Sequence, residues 1–311
     1  MNRCIAIFGP TASGKSSLAI KLAVKLDGVI ISADSMQIYK VMNIGTAKPT
    51  KEEMSIVPHK MIDICSPLDS FSVYDYKKRA ENEIENALAN GKVPIIVGGT
   101  GLYFDALFYN TQFGEMDIDP KIHDLLVSRS ENCENKILLE ELRKVDPICA
   151  EKLHEKDTKR IIRALEVYLS TGKTLTEFKE KSKTRNSKFD YKKIFLDFSN
   201  RDLLYQRIND RVDQMIAEGL LQETKNLLKN GYLKTPTAAQ AIGYKEIIPF
   251  LEGEKSLAEC IDLLKQKTRN YAKRQLTWFR RYDDSHRIEI DRNPDFVQTA
   301  LKICQNYLKG E

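Results

Sequence analysis

Short apolar runs alternate with longer amphipathic stretches over the first hundred positions. "CIAIF" (4–8), "GVIISA" (28–33) and "VPIIV" (93–97) are continuously apolar over strand length, the pattern of strands covered on both faces. Ser16 to Leu26 and "DYKKRAENEIENALANG" (75–91) carry apolar positions at helical spacing, with Gly91 as a helix C-cap. Such alternation predicts an α/β fold in which helices cover a parallel sheet and ligands bind at the carboxyl ends of the strands. The loops after Phe8, Ala33 and Val97 should then share one edge.

After "GEMDIDP" (114–120) the pattern turns helical, in "KIHDLLVSRS", "NKILLEELRKV", "PICAEKL" and "DTKRIIRALEVYLSTG". A strand pattern returns in "YKKIFLDF" (191–198), and amphipathic helices follow from "SNRDLLYQRINDRVDQMIAEG" onward. Residues 1–115 and 191–311 are therefore expected to form the core with C-terminal helices, and residues 116–190 a helical insertion. No internal repeat or low-complexity segment is evident.

Composition narrows the class. Of 311 residues, 42% are hydrophobic and 30% charged, an ordinary globular balance with no apolar run long enough for a bilayer. "MNRCIAIFGP" runs straight into a phosphate-loop pattern and leaves no room for a signal peptide. Six scattered cysteines lack C-x-x-C spacing, and the four histidines do not cluster with them, which argues against structural zinc and a disulfide framework. The expectation is a cytoplasmic monomer without membrane contact. The net charge of +5 is unevenly distributed: Lys265 to Tyr282 holds seven Lys or Arg, no acid and four aromatics, and Lys179 to Lys193 holds seven basic residues against two acids. Two such runs favour a polyanionic partner.

"FGPTASGKSS" (8–17) fits G-x-x-x-x-G-K-[ST], with a strand pattern before it and a helix pattern after it. It predicts a P-loop NTPase-like core in which backbone N–H groups of Gly9, Pro10–Ser13, Gly14, Lys15 and Ser16 surround a phosphate at a helix N-terminus; the proline itself contributes no donor. Lys15 adds a positive charge, and the Ser16 hydroxyl is a ligand for magnesium. Nucleotide hydrolases usually place an acid at a strand end to hold that ion or position water; here "VPIIV" runs into "GGTGLYF" and the acid follows the second strand, in "ISADSMQIY". Asp34 in that position could bind magnesium, cap a helix or take a proton from a nucleophile. Thr100 can aim a hydroxyl at the same place or cap the next helix.

A family resemblance rests on longer blocks: "GPTASGKSSLAI", "SADSMQIYKVMNIGTAKP", "PHKMIDI", "FSVYDYKKRA", "PIIVGGTGLYFDAL", "RIIRALEVYLSTGKTLTE", "RINDRVDQMIAEGL", "AIGYKEI" and "KTRNYAKRQLTWFR". In this order they resemble the signature blocks of the tRNA dimethylallyltransferase (tRNA isopentenyltransferase) family, from the first strand to Tyr282. The resemblance implies transfer of a dimethylallyl group from dimethylallyl diphosphate to N6 of the adenosine 3′ of the tRNA anticodon, with release of diphosphate. It implies that residues 9–16 hold the diphosphate with Mg2+ near Ser16, that Asp34 accepts the N6 proton, and that Thr100 and Arg211 stabilise the leaving group, with Arg207 as the alternative arginine. Contacts to tRNA, centred on its anticodon stem-loop, fall on Asp34, Ser35, Met36 and Gln37, on Lys159, Arg160, Ile161, Ile162 and Arg163 in the insertion, and on Gln240, Gly243, Tyr244 and Lys245. Lys267, Arg269 and Lys273 would contact phosphates. Tyr271 and Trp278 share a helical face, which reads as core more often than as a base platform, and Trp278 is assigned to packing. His123 is not assigned a tRNA contact. The chain ends at Glu311 without the zinc finger of eukaryotic members, which points to the short bacterial form.

Three other readings compete. An adenylate isopentenyltransferase would prenylate a free nucleotide and needs no basic RNA surface, a kinase would use the loop for ATP, and an RNA-binding switch would give no covalent product.

Overall fold

The computed structural model describes residues 2–109, 119–132, 134–183, 187–231 and 237–311. The chain forms two compact units, one of Met1–Phe104 with Phe189–Glu311 and one of Asp105–Lys188. In chain order, the elements are β1 (Arg3–Phe8), α1 (Lys15–Leu26), β2 (Gly28–Ala33), α2 (Lys51–Ile56), β3 (His59–Lys60), α3 (Val73–Ala89), β4 (Val93–Gly98) and α4 (Gly101–Phe108). The smaller unit continues with α5 (Pro120–Glu131), α6 (Asn135–Val145), α7 (Pro147–Ala150), α8 (Thr158–Thr171) and α9 (Leu175–Lys183). The larger unit resumes with β5 (Asp190–Asp197), α10 (Arg201–Ala217), α11 (Leu220–Lys229), α12 (Ile248–Leu251), α13 (Leu257–Phe279), β6 (His286–Glu289) and α14 (Phe296–Lys309). The expected insertion start at residue 116 and residues 184–186 of the second basic run lie outside the described residues.

The larger unit is built on a parallel sheet ordered β3-β2-β4-β1-β5-β6. Register pairs Phe8 with Gly98 and Gly98 with Ala33. β1, β4 and β2 therefore end at one level and their loops leave one edge, as the alternation of strand and helix predicts. Side chains alternate across the sheet. Ile5, Ile7, Ile95, Val97, Ile194 and Leu196 pack with Leu18 and Leu22 of α1 and with Ala300 and Cys304 of α14. On the opposite face Phe8 lies among Phe104, Phe195, Phe279 and Tyr282, with ring centroids 5.3, 5.8, 5.0 and 5.2 Å away. Two aromatics of the basic 265–282 run are thus core residues that seat α13 on the sheet.

In the smaller unit, α5, α6 and α8 enclose Leu126, Leu138, Leu142, Ile161, Ile162 and Leu165. The buried Asp146 carboxylate caps α7 through the Cys149 N–H and accepts from the Thr176 N–H and hydroxyl. No helix among the described residues is long and apolar enough to cross a membrane, and Cys4, Cys65, Cys260 and Cys304 are free thiols.

Because Phe8 joins β1, β5, α4 and α13 in one aromatic cluster, Phe8→Ala should cost about 3–5 kcal/mol. Denaturant unfolding of the variant beside the parent checks this; a loss below 1 kcal/mol would show that the cluster repacks.

Candidate active site

The loop after β1 carries the phosphate-binding pattern. At Gly9 a Cβ would lie 2.4 Å from the Leu196 carbonyl oxygen, so only glycine lets β1 turn away against β5. Gly14, at φ 81°, begins α1 without a side-chain cap, and the first turn holds no acid. Such a helix N-terminus favours an anion through its dipole and unused N–H groups. The Lys15 ammonium folds over the loop, donating to the Pro10 carbonyl at 2.6 Å and to Ser13 Oγ at 3.4 Å. Burial, and then the nearby Arg211 charge, push Lys15 down to about 7, against the pull of Asp34. Ser16 is exposed and lines the adjoining recess.

Asp34 leaves the end of β2 beside this loop. Its Oδ1 accepts from the N–H groups of Met36 (2.8 Å) and Gln37 (3.3 Å), capping the turn that follows. Burial raises its pKa above the ordinary carboxylate value; the two N–H bonds and the charges of Lys15 and Arg211 work against that rise. The Thr100 hydroxyl, on the loop after β4, accepts the Ser35 N–H at 3.0 Å. α10 supplies Arg211, whose guanidinium is lowered by burial and supported by Asp34 and Glu218. Leu204, Ile208 and Val212 bury one face of α10. One turn before Arg211, Arg207 is exposed, near Gly14 and over the Phe198 ring.

Three hollows meet at these residues. A cavity of about 720 Å3 is lined by Thr11, Asp34, Ser35, Met36, Arg211 and Tyr271 among others. A recess of about 80 Å3 shares Thr11, Asp34, Arg211 and Tyr271 with it and reaches Lys15 and Ser16. A third hollow, of about 860 Å3, lies along Ala12 to Ser17, Arg207 and Arg211. Arg211 lines all three, so phosphate-loop donors, two cations and one carboxylate converge where the hollows adjoin.

The remaining candidates divide by burial. Ser35, Met36, Gln240, Gly243, Lys245 and Lys267 line the 720 Å3 cavity. Gln37 has its amide engaged internally, accepting from Ser32 Oγ and donating to the Thr46 and Ala47 carbonyls. Tyr244, expected to touch RNA, is 0% exposed. Its hydroxyl donates to Glu223, which also accepts the N–H groups of Asn43, Ile44 and Gly45, so Tyr244 shapes the cavity wall from behind. Ile161 and Ile162 are likewise core residues of the smaller unit and offer no surface to a partner, whereas Lys159, Arg160 and Arg163 of the same helix are exposed. Arg163 pairs with the buried Glu166, which also binds His123. Arg269 donates to Asn209, and Lys273 lies over the Tyr205 ring.

Several positions escaped the sequence reading. Arg274 of α13 lines the cavity, as does Tyr271, which its helical face reads as core, and the buried Gln275 bonds to both the phosphate loop and the Gly99 loop. An uncharged polar residue on the apolar stripe of a helix was the available signal for Gln275. Trp278 covers Gly101, consistent with packing. A further strand-end acid lies beside β1, where β5 ends in Asp197. That carboxylate is 0% exposed and is held by Arg280, Arg287 and the Phe198 N–H, so it is committed to structure.

Comparison with known proteins gives consistent matches. The family model described as IPP transferase matches residues 37–282. The tRNA dimethylallyltransferase of Caldanaerobacter subterraneus subsp. tengcongensis is 49% identical over 99% of this chain and 98% of its own length. The crystal structure of a tRNA delta(2)-isopentenylpyrophosphate transferase from Staphylococcus epidermidis superposes with a TM-score of 0.72 at 42% identity, covering 100% of both chains. A eukaryotic dimethylallyltransferase, described in structures as acting on tRNA, gives a TM-score of 0.85 at 32% identity over 100% of this chain and 80% of its own. With that match across most of its length, the chain belongs to the IPP transferase family.

Proposed function

We propose that this chain transfers a dimethylallyl group from dimethylallyl diphosphate to N6 of the adenosine 3′ of the anticodon in tRNA. The observation that carries this reading is the meeting of Asp34, Lys15 and Arg211 beside an uncapped helix N-terminus, at the junction of a recess and a larger cavity. The allylic C–O bond breaks as the N6–C bond forms, so charge builds on the departing diphosphate. The loop of residues 9–16, apart from Pro10 and the Thr11 N–H that Gln275 engages, and Arg211 would stabilise it. Thr100 supports the same edge through Ser35. The adenine N6 lone pair is delocalised, and the nitrogen gains nucleophilic character only as its proton leaves; Asp34 takes that proton.

Mg2+ fits this site. The exposed Ser16 hydroxyl and Asp34 line one recess beside the phosphate loop, and magnesium is characteristically held by few protein oxygens together with substrate phosphates. Ser16 would hold it alongside the diphosphate oxygens. The ion would add positive charge against the leaving group.

RNA binding is assigned to the rim of the 720 Å3 cavity and to the exposed cations Lys159, Arg160 and Arg163 of the smaller unit. Unstacked bases of an anticodon loop are read by stacking and edge contacts, while basic side chains follow the backbone. Tyr271 and Met36 offer the cavity apolar surface for the flipped adenine. The chain is taken to act as a cytoplasmic monomer.

Mass spectrometry of an anticodon stem-loop incubated with the protein, magnesium and dimethylallyl diphosphate tests the reading directly. AMP prenylated as efficiently as the stem-loop would favour the adenylate alternative. Asp34→Ala should keep RNA affinity and lower prenyl transfer by about two to four orders of magnitude; near-normal turnover would remove Asp34 as the base.

The pH profile has two expected limbs. Asp34 works deprotonated and its pKa is raised, so kcat should fall on acidification at a pH above the ordinary aspartate value. Lys15 works protonated, and its value of about 7 belongs to the protein without diphosphate. The ratio kcat/KM for dimethylallyl diphosphate should therefore fall as pH rises through about 7, while kcat at saturation holds because the bound anion restores the ammonium. Initial rates across pH 5 to 9, at about five substrate concentrations, separate the two limbs.

Affinity for the stem-loop should fall with salt. Replacing Lys267, Arg269 and Lys273 together with alanine should shallow the log–log slope by about two, at roughly 0.7 per phosphate contact in single strands. Fluorescence anisotropy over a salt series checks this, and an unchanged slope would take those three residues out of the RNA interface.

A further inference from the structure

The buried face of α13 is apolar at Cys260, Leu264, Ala272, Leu276 and Phe279, but it also buries Gln275, at 5% exposure. An amide removed from water is costly unless both of its ends are bonded. Here both are: Oε1 accepts the Thr11 N–H at 2.8 Å and Nε2 donates to the Gly99 carbonyl at 2.9 Å. The approach at Gly99 is close enough that a Cβ there would lie 2.2 Å from Nε2. One side chain thus spans the phosphate loop after β1 and the glycine loop after β4.

The connection continues to the third loop. The peptide after Gly99 leads to Thr100, whose N–H donates to the Ala33 carbonyl at 3.1 Å and whose hydroxyl accepts the Ser35 N–H at 3.0 Å. These two bonds grip the chain on either side of Asp34. A line of hydrogen bonds therefore runs from the diphosphate-binding backbone through Gln275 to the loop of the proton acceptor. We propose that Gln275 is a positioning residue for prenyl transfer, which sets the placement of the phosphate loop relative to Asp34 through these two bonds. The inference rests on the prenyl-transfer reading of the site. Its polarity requirement is specific: position 275 needs one acceptor toward Thr11 and one donor toward Gly99. A carboxylate offers only acceptors, and an aliphatic chain offers neither.

Two variants test it, with product formed by the parent as the control that separates failure of this inference from failure of the prenyl-transfer reading. Gln275→Met, similar in length, with no donor for Gly99 and only a weak thioether acceptor for Thr11, should lower kcat about 10- to 100-fold, the scale of a misplaced reacting group. Its KM for the stem-loop should change far less than kcat, since of the RNA-facing groups only Tyr271 is bonded to Gln275. Gln275→Glu should be similarly slow when ionised, because it repels the Gly99 carbonyl, and should recover when protonated, because a carboxylic acid accepts from Thr11 and donates to Gly99. The ratio of variant to parent kcat should therefore rise as pH falls, although the parent itself slows in that direction. A Gln275→Met enzyme with the parent's kcat overturns the proposal, as does a Gln275→Glu ratio that stays flat with pH. Should the glutamate variant not fold, the methionine kcat and KM decide the matter, and a lowered melting temperature with unchanged kcat counts as overturning it.

Discussion

The parallel register of β1, β4 and β2 is the constraint on which the site depends. It brings Phe8, Gly98 and Ala33 to one level, and the three loops that carry Lys15, Thr100 and Asp34 begin there. None of these residues is near another in the sequence. Their convergence is a property of hydrogen-bonded strands ending together, and it persists only while the faces of the sheet stay covered. α1 and α14 cover one face, while α4 and α13 close around Phe8 on the other.

The electrostatics follow from that placement. Burial disfavours charge on Lys15, Arg211 and Asp34 alike, and the carboxylate supports both cations while the cations oppose each other. Lys15 and Arg211 face Asp34, and Glu218 adds a second carboxylate on the Arg211 side. Arg211 lies close enough to Lys15 to lower its affinity for a proton, and an anion placed between two such cations would offset their repulsion.

α13 shows how one helix serves several purposes. Its apolar stripe reaches Phe8 through Phe279, its buried amide joins two loops, and Lys267, Tyr271 and Arg274 face the cavity. A basic, aromatic-rich run reads simply as a nucleic-acid surface. Once folded, Phe279 and Tyr282 belong to the core and Arg280 neutralises the buried Asp197. Only part of the run's charge is left for a partner.

The sequence by itself determined the phosphate loop, the buried strands, the edge from which Asp34 and Thr100 emerge, and the family blocks, because these depend on local periodicity and on residues a few positions apart. It could not decide which side chains of a recognised block face outward. Tyr244, Ile161 and Ile162 stand in blocks expected to contact RNA, yet they are buried, because the partners that bury them come from distant segments such as Glu223 on α11 and Leu138 on α6. Asp197 reads as an ordinary strand-end acid until Arg280 and Arg287 are brought to it. Gln275 has no local signature beyond a polar residue on an apolar stripe, and its meaning lies in Thr11 and Gly99, which only the folding of α13 onto the sheet edge places at its two ends.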